Sequence, residues 1–203
     1  YDAHKKFYRQ PASRDIEYVV FEVVPSAEDV AAANQALVDV YDEFAAAENM
    51  KTFLLANSDR QYDSRWYKAG ELNTVAKEVN DFAFGDADGV SPVITKGNTF
   101  YAVKVVEEAM VPDSVYVKYV PAQAESADSL MAAAEPQWIT QVPGFEEVMT
   151  AKVNDEVTVN GLVFKVLDRT TPVAKKRVAV LEKTAVASKE TVNKCYAKAN
   201  TFA

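Results

Sequence analysis

Residues 97–121, Gly-Asn-Thr-Phe-Tyr-Ala-Val-Lys-Val-Val-Glu-Glu-Ala-Met-Val-Pro-Asp-Ser-Val-Tyr-Val-Lys-Tyr-Val-Pro, end one repeated unit and begin the next. A Gly-Asn turn introduces β-branched and aromatic residues from Phe100 to Val106, and Val115 to Val120 has the same character. Both stretches predict strands. Between them Pro112 cannot donate to a ladder, so Met110–Ser114 reads as a short connection. Both strand types recur elsewhere in the chain. A fixed order of elements that recurs predicts serial modules rather than one large core.

The first unit begins with Arg14–Val24, dense in Val, Ile, Tyr and Phe, and therefore a predicted strand. Residues 1–13 before it read as a helix tail or linker stopped at Pro11. Ser26, with Asp29 three positions on, predicts a capping box. The helix it launches carries Val30, Ala33, Leu37, Val40 or Tyr41, and Phe44 on one face. A shorter helix is expected over Met50–Ala56, and another from about Glu71 to Phe82 with Leu72, Val75, Val79 and Phe82 inward. Two strands around Lys96-Gly97-Asn98 then close a hairpin.

The second unit repeats the order in shorter form. Val115–Val120 is its strand, 126–135 and 145–151 its helices, and Asn154–Asp168 its hairpin, in which Phe164-Lys-Val166 echoes Val103-Lys-Val105. A third start follows: Lys176–Thr191 mirrors the strand at 14–24 and its cap, with Ser188 and Thr191 in the places of Ser26 and Asp29. The expected organisation is thus a linker over 1–13, a first module over 14–111, a shortened second module over 112–172, and the start of a third over 173–203. The expected fold class is α+β, with a small, mostly antiparallel sheet and covering helices in each module.

Chemistry-bearing residues are sparse. The only histidine, His4, and the only cysteine, Cys195, lie at opposite ends of the chain, so a thiolate with an adjacent base is not expected. Asp81, Asp86 and Asp88 lack the ligand spacing of a calcium loop, and no metal or cofactor is expected. A net charge of -8 argues against a nucleic-acid surface. No apolar run reaches the roughly 20 residues that span a bilayer. The chain opens at Tyr1 without a methionine and reads as an internal fragment, any membrane anchor being expected outside it. The aromatic loop Gln61–Gly70 presents Tyr62, Trp66 and Tyr67, which with Trp138 form either a peptide-binding surface or the means of folding that loop onto the core.

Pro112-Asp-Ser-Val-Tyr-Val-Lys-Tyr-Val, Ala127-Asp-Ser-Leu, and Gly144-Phe-Glu-Glu-Val-Met through Gly161-Leu-Val-Phe-Lys-Val-Leu-Asp-Arg resemble a parvulin-type peptidyl-prolyl cis-trans isomerase (rotamase) module. In order of elements the chain is similar to an internal segment of the SurA/PpiD-like periplasmic folding factors of Bacteroidetes type. The resemblance implies a cofactor-free chaperone or foldase in the periplasm. It would bind unfolded or proline-containing polypeptides and be anchored to the inner membrane, if at all, by a segment outside this chain. Unaided isomerisation of an X-Pro bond takes tens to hundreds of seconds, which is the barrier such an isomerase lowers.

The family's pocket places one histidine on the first strand and one on the last. Its first-strand motif matches Lys118-Tyr-Val-Pro121, which puts Tyr119 at the first histidine. The last-strand motif matches Asn160–Val166 and puts Leu162 at the second. The corresponding positions in the first module are Val23 and Tyr101. Gln137–Gly144 stands where the family has a glycine-rich segment, and Phe145 and Met149 match its apolar shelf or simply pack a helix on the sheet. With both histidines replaced, the expected function is polypeptide binding without catalysis. The alternative is an isomerase with a divergent pocket that uses the hydroxyl of Tyr119 or Tyr101.

Overall fold

A computed structural model describes residues 14–86, 88–141 and 144–202; His4 and the linker expected over 1–13 lie outside these. The protein is α+β and holds two antiparallel sheets. The first, sheet A, has the order β1 (Ile94–Lys96), β2 (Thr99–Val111), β7 (Val173–Thr184). The second, sheet B, has the order β4 (Gln137–Thr140), β3 (Ser114–Pro121), β6 (Leu162–Arg169), β5 (Glu156–Val159).

Helix α1 (Ala27–Asp39) starts where the cap predicts: Ser26 N–H donates to Asp29 Oδ2 at 2.9 Å, and Asp29 N–H donates to Ser26 Oγ at 3.2 Å. The helix expected to run on to Phe44 breaks at Val40, and α2 (Tyr41–Ala46) continues it. β-branched Val38 and Val40 weaken the last turn, and the Tyr41 hydroxyl is held by the Ser91 carbonyl at 2.7 Å. Helix α3 (Met50–Asn57) is capped by Asn49, whose Oδ1 accepts from Thr52 N–H at 3.0 Å. The segment expected as one helix from Glu71 to Phe82 is a 3₁₀ turn, Glu71–Thr74, followed by α4 (Lys77–Ala83).

Sheet A is covered on both faces. Leu37, Phe44, Met50 and Leu54 of α1–α3 pack on Phe100, Ala102, Ala179 and Leu181. Leu72, Val75, Val79 and Ala83 pack on Tyr101, Val103, Val178 and Val180 from the other side. Alternate residues of β2 therefore point into different cores, which explains why Phe100–Val103 is apolar without interruption. In sheet B, Val148 and Met149 of α6 (Glu146–Thr150) pack with Val117, Phe164 and Val166. Helix α5 (Ala127–Ala133) lies against β3, where Lys118 Nζ donates to the Ala132 carbonyl at 3.0 Å.

Two expectations about the modules require correction. Arg14–Val24 pairs with no strand among the described residues and takes no regular secondary structure. β-propensity is realised only when a neighbour supplies the ladder. The strand expected to open a third module at 173 is instead β7, paired with β2 along its length from Thr99↔Thr184 to Val111↔Val173. Sheet A thus closes around the second unit, and residues 114–169 form an insertion between two adjacent strands. The neck of the insertion is tied: the amides of Asp113 and Ser114 donate to Thr170 Oγ1 at 2.9 and 3.1 Å, and Thr170 N–H donates to the Ser114 carbonyl at 3.0 Å.

Candidate functional site

The register of sheet B brings together the residues of the predicted pocket. Tyr119 lies opposite Phe164, Pro121 opposite Leu162, and Val157 and Val159 oppose the same two residues of β6. Directly opposed residues in an antiparallel pair share a face, so Tyr119 and Leu162 are diagonal neighbours on one surface. Phe164 is its centre. Its ring stacks with Tyr119 at 5.4 Å between centroids and meets Phe145 edge-on at 5.5 Å. Such aromatic pairs contribute about 0.5–1.5 kcal/mol beyond the area they bury.

Two turns hold the shelf. Asn160 and Gly161 both adopt positive φ, 49° and 78°, as a tight hairpin turn between β5 and β6 requires. The Asn160 side chain then donates to the Gly144 carbonyl at 3.1 Å, fixing the entry to α6 and hence Phe145. Glu146 is held by the Ser64 hydroxyl and accepts from Gly144 N–H at 3.1 Å. Burial alone would raise its pKa, but these donors, the Ser64 hydroxyl foremost, keep it below the ordinary carboxylate value.

Tyr119 is 42% exposed, Leu162 and Phe145 are half-buried, and Met149 is buried. Met149 is therefore a core residue, and its placement as a ligand contact is corrected. Phe164 is itself a core residue at 4% exposed, so the accessible surface here is the rim formed by Tyr119, Leu162 and Phe145, with one phenolic hydroxyl. Leu162 has no polar atom to answer it, so the hydrogen-bonded pair across adjacent strands that a two-histidine pocket needs cannot form. The first-unit counterparts do not meet at all: Tyr101 is buried in the core under α4, while Val23 lies exposed on the unpaired segment. Burial pushes the Tyr101 phenol up.

The aromatic groove expected from Tyr62, Trp66, Tyr67 and Trp138 is not formed. Trp66, 1% exposed, sits in the core of sheet B among Val115, Val117 and Met149, whereas Tyr67 enters the core of sheet A with Val178 and Val180. Tyr62 is half-buried against the α1–α3 core, and burial raises its pKa. Neighbouring residues of one loop thus anchor two different sheets. The loop is pinned by reciprocal bonds between Tyr67 and Lys176 backbones, 2.8 and 3.0 Å, and the Gln141 side chain donates to the Trp66 carbonyl at 3.0 Å. Arg177 lies over the Trp66 ring at 4.5 Å. Trp138, on β4, remains 51% exposed and pairs with Tyr116 at 5.1 Å.

Sequence reading did not find Phe164 as the centre of the shelf, although the echo of Val103-Lys-Val105 in Phe164-Lys-Val166 marks the position. It also missed β4, which is four residues long and lies at an edge. Cys195 is half-buried on α7 (Lys189–Phe202), with Sγ 3.9 Å from the Phe21 carbonyl. Among the described residues, no group of three or more His, Cys, Asp or Glu is arranged to hold a metal ion, and no helix is long and apolar enough to cross a membrane. The chain matches no family model, no curated protein and no solved structure.

Proposed function

We propose that this chain is a polypeptide-binding segment of a periplasmic folding factor of the parvulin-type kind, holding unfolded or proline-containing chains without isomerising them. The observation that carries this reading is the occupancy of the shelf on sheet B. Tyr119 and Leu162 stand on adjacent strands where the family resemblance puts its histidines, with Phe145 and Phe164 beside them. Above the buried Phe164, the accessible parts of Tyr119, Leu162 and Phe145 give an apolar, partly aromatic rim suited to a proline ring or another flat apolar group. It lacks a second polar side chain with which Tyr119 could act on the amide.

A second reading is favoured by one feature. Tyr119 is partly exposed on this rim, so its hydroxyl could donate to a bound amide. A protease-free isomerisation assay on a proline peptide separates the two. A rate equal to background, together with suppression of aggregation of an unfolded client, is the expected outcome. Acceleration that Tyr119→Phe abolishes would establish the enzyme instead, and absence of both activities would overturn both readings.

A further inference from the structure

Arg14–Val24 carries a run of exposed apolar side chains: Ile16, Tyr18 and Val20 are 79%, 82% and 68% exposed. What covers such a surface can be read from its counterpart. Aligning Ser26 with Ser188 sets Arg14 against Lys176, Asp15 against Arg177, Ile16 against Val178, Glu17 against Ala179, Tyr18 against Val180 and Val19 against Leu181. In the counterpart, Ala179 and Leu181 lie under α1, Val178 and Val180 lie under α4, and one edge pairs with β2.

The segment 14–24 already has the first of these three partners. Phe21 and Val23, of the same parity as Ala179 and Leu181, face Cys195, Tyr196 and Ala199 of α7, and Phe21 meets Phe202 edge-on at 5.8 Å. Helix α7 thus lies against the C-terminal end of 14–24 on the face that α1 covers in β7, while Val19, aligned with Leu181, stays 55% exposed. The two caps touch: Thr191 Oγ1 donates to Asp29 Oδ2 at 2.6 Å. A groove of about 420 Å³ remains between residues 20–26 and α7. Among the described residues no antiparallel strand pairs with 14–24, and Ile16, Tyr18 and Val20 on its other face stay exposed.

Charge specifies which strand would fit this edge. Across the β2–β7 ladder Arg177 opposes Glu107, with Nη1 3.0 Å from Oε2, and Ala179 opposes Lys104. At the equivalent places the free segment carries Asp15 and Glu17, so a strand in the same register needs cations there. We propose that residues 14–24 and α7 form a strand-accepting edge that binds an extended apolar polypeptide carrying basic residues, added antiparallel to 14–24. This rests on the polypeptide-binding reading above and gives it a location and a client chemistry, an apolar and basic segment for a chain of net charge -8.

The test uses the full chain and a 13-residue peptide with the sequence of β2 in which Glu107 is replaced by lysine. A second peptide carries Lys104→Glu and keeps Glu107. The expected result is slowed amide exchange confined to residues 14–24 with the first peptide, and affinity on the order of tenfold weaker for the second. The double variant Asp15→Lys, Glu17→Lys alters only exposed side chains and is expected to reverse the preference. Binding without protection of 14–24, or with no charge preference, overturns the proposal. So does protection that appears without peptide and grows with protein concentration, which would mean that a second copy occupies the edge. Aggregation suppression that persists while 14–24 stays unprotected overturns this location alone; loss of suppression as well overturns the polypeptide-binding reading.

Discussion

Lys175, on β7, reaches Asp113 at the crossover from sheet A to sheet B, with Nζ 3.1 Å from Oδ1. Its side chain is 4% exposed and also donates to the Pro112 carbonyl at 2.7 Å. Lys68 approaches the other carboxylate oxygen from the aromatic loop. One aspartate thus gathers the loop, the last strand and the neck of the insertion.

Replacing Lys175 by methionine keeps most of the buried stem but leaves the Pro112 carbonyl without its donor. Leaving a buried acceptor unpaired costs about 1–3 kcal/mol. A loss of unfolding free energy of that size, read as a lower urea midpoint at unchanged slope, is the expected outcome, and an unchanged midpoint would show that the neck does not depend on this bond.

Asp113 should make stability depend on pH. The Lys68 ammonium foremost, against the opposing effect of burial and with help from Lys175, holds its carboxyl below the ordinary 3.8. A depressed folded value means stability that is present above pH 3.8 and lost as pH falls through the lower folded value. Because the carboxylate is about half exposed, solvent screening keeps the effect modest. The stability difference between wild type and Asp113→Asn, followed by denaturation at successive pH values, should therefore shrink below about pH 4. A difference that grows on acidification would contradict this sign.

The two tryptophans should behave as opposites. Trp66→Ala empties a position in the sheet B core and is expected to cost about 3–5 kcal/mol, whereas Trp138→Ala, half-exposed, should cost under about 1 kcal/mol. Fluorescence gives an independent check. Iodide should quench the emission of Trp66→Phe, which retains Trp138, and barely affect Trp138→Phe.

Gly161 has open space where the methyl group of an alanine would stand, so only its positive φ of 78° resists substitution. Gly161→Ala should destabilise by about 1–2 kcal/mol, the cost of left-handed backbone for an L residue. Thermal melting of the variant checks this, and a neutral result would mean that the β5–β6 turn relaxes to another type.

The local elements were legible because their signals are local. Ser26 and Asp29 announce α1, the Lys96-Gly97-Asn98 turn announces the β1–β2 hairpin, and Leu37 and Phe44 give away the inward face. Pairing was not legible. Arg14–Val24 and Lys176–Thr184 read alike as β-rich stretches before a helix cap, yet only the second meets β2. Nothing in Ile16 or Tyr18 records whether a neighbour is present. Likewise, Trp66 and Trp138 are the same residue type in polar surroundings. The sheet into which each side chain falls is decided by loop geometry, through the Tyr67–Lys176 bridge and the Gln141 side chain, which no spacing in the sequence encodes.

The insertion between β2 and β7 also dictates an order of events during synthesis. When β2 leaves the ribosome its long free edge has no partner, because all of residues 114–169 must be translated before β7 exists. The second unit has its own local strand pairings, β3 with β4 and β5 with β6, and can organise while that edge waits. Closure of sheet A is then a late step of high sequence separation, slow for the reason that long-range β pairing is slow, and residues 99–111 form the stretch most in need of protection from other chains until it occurs.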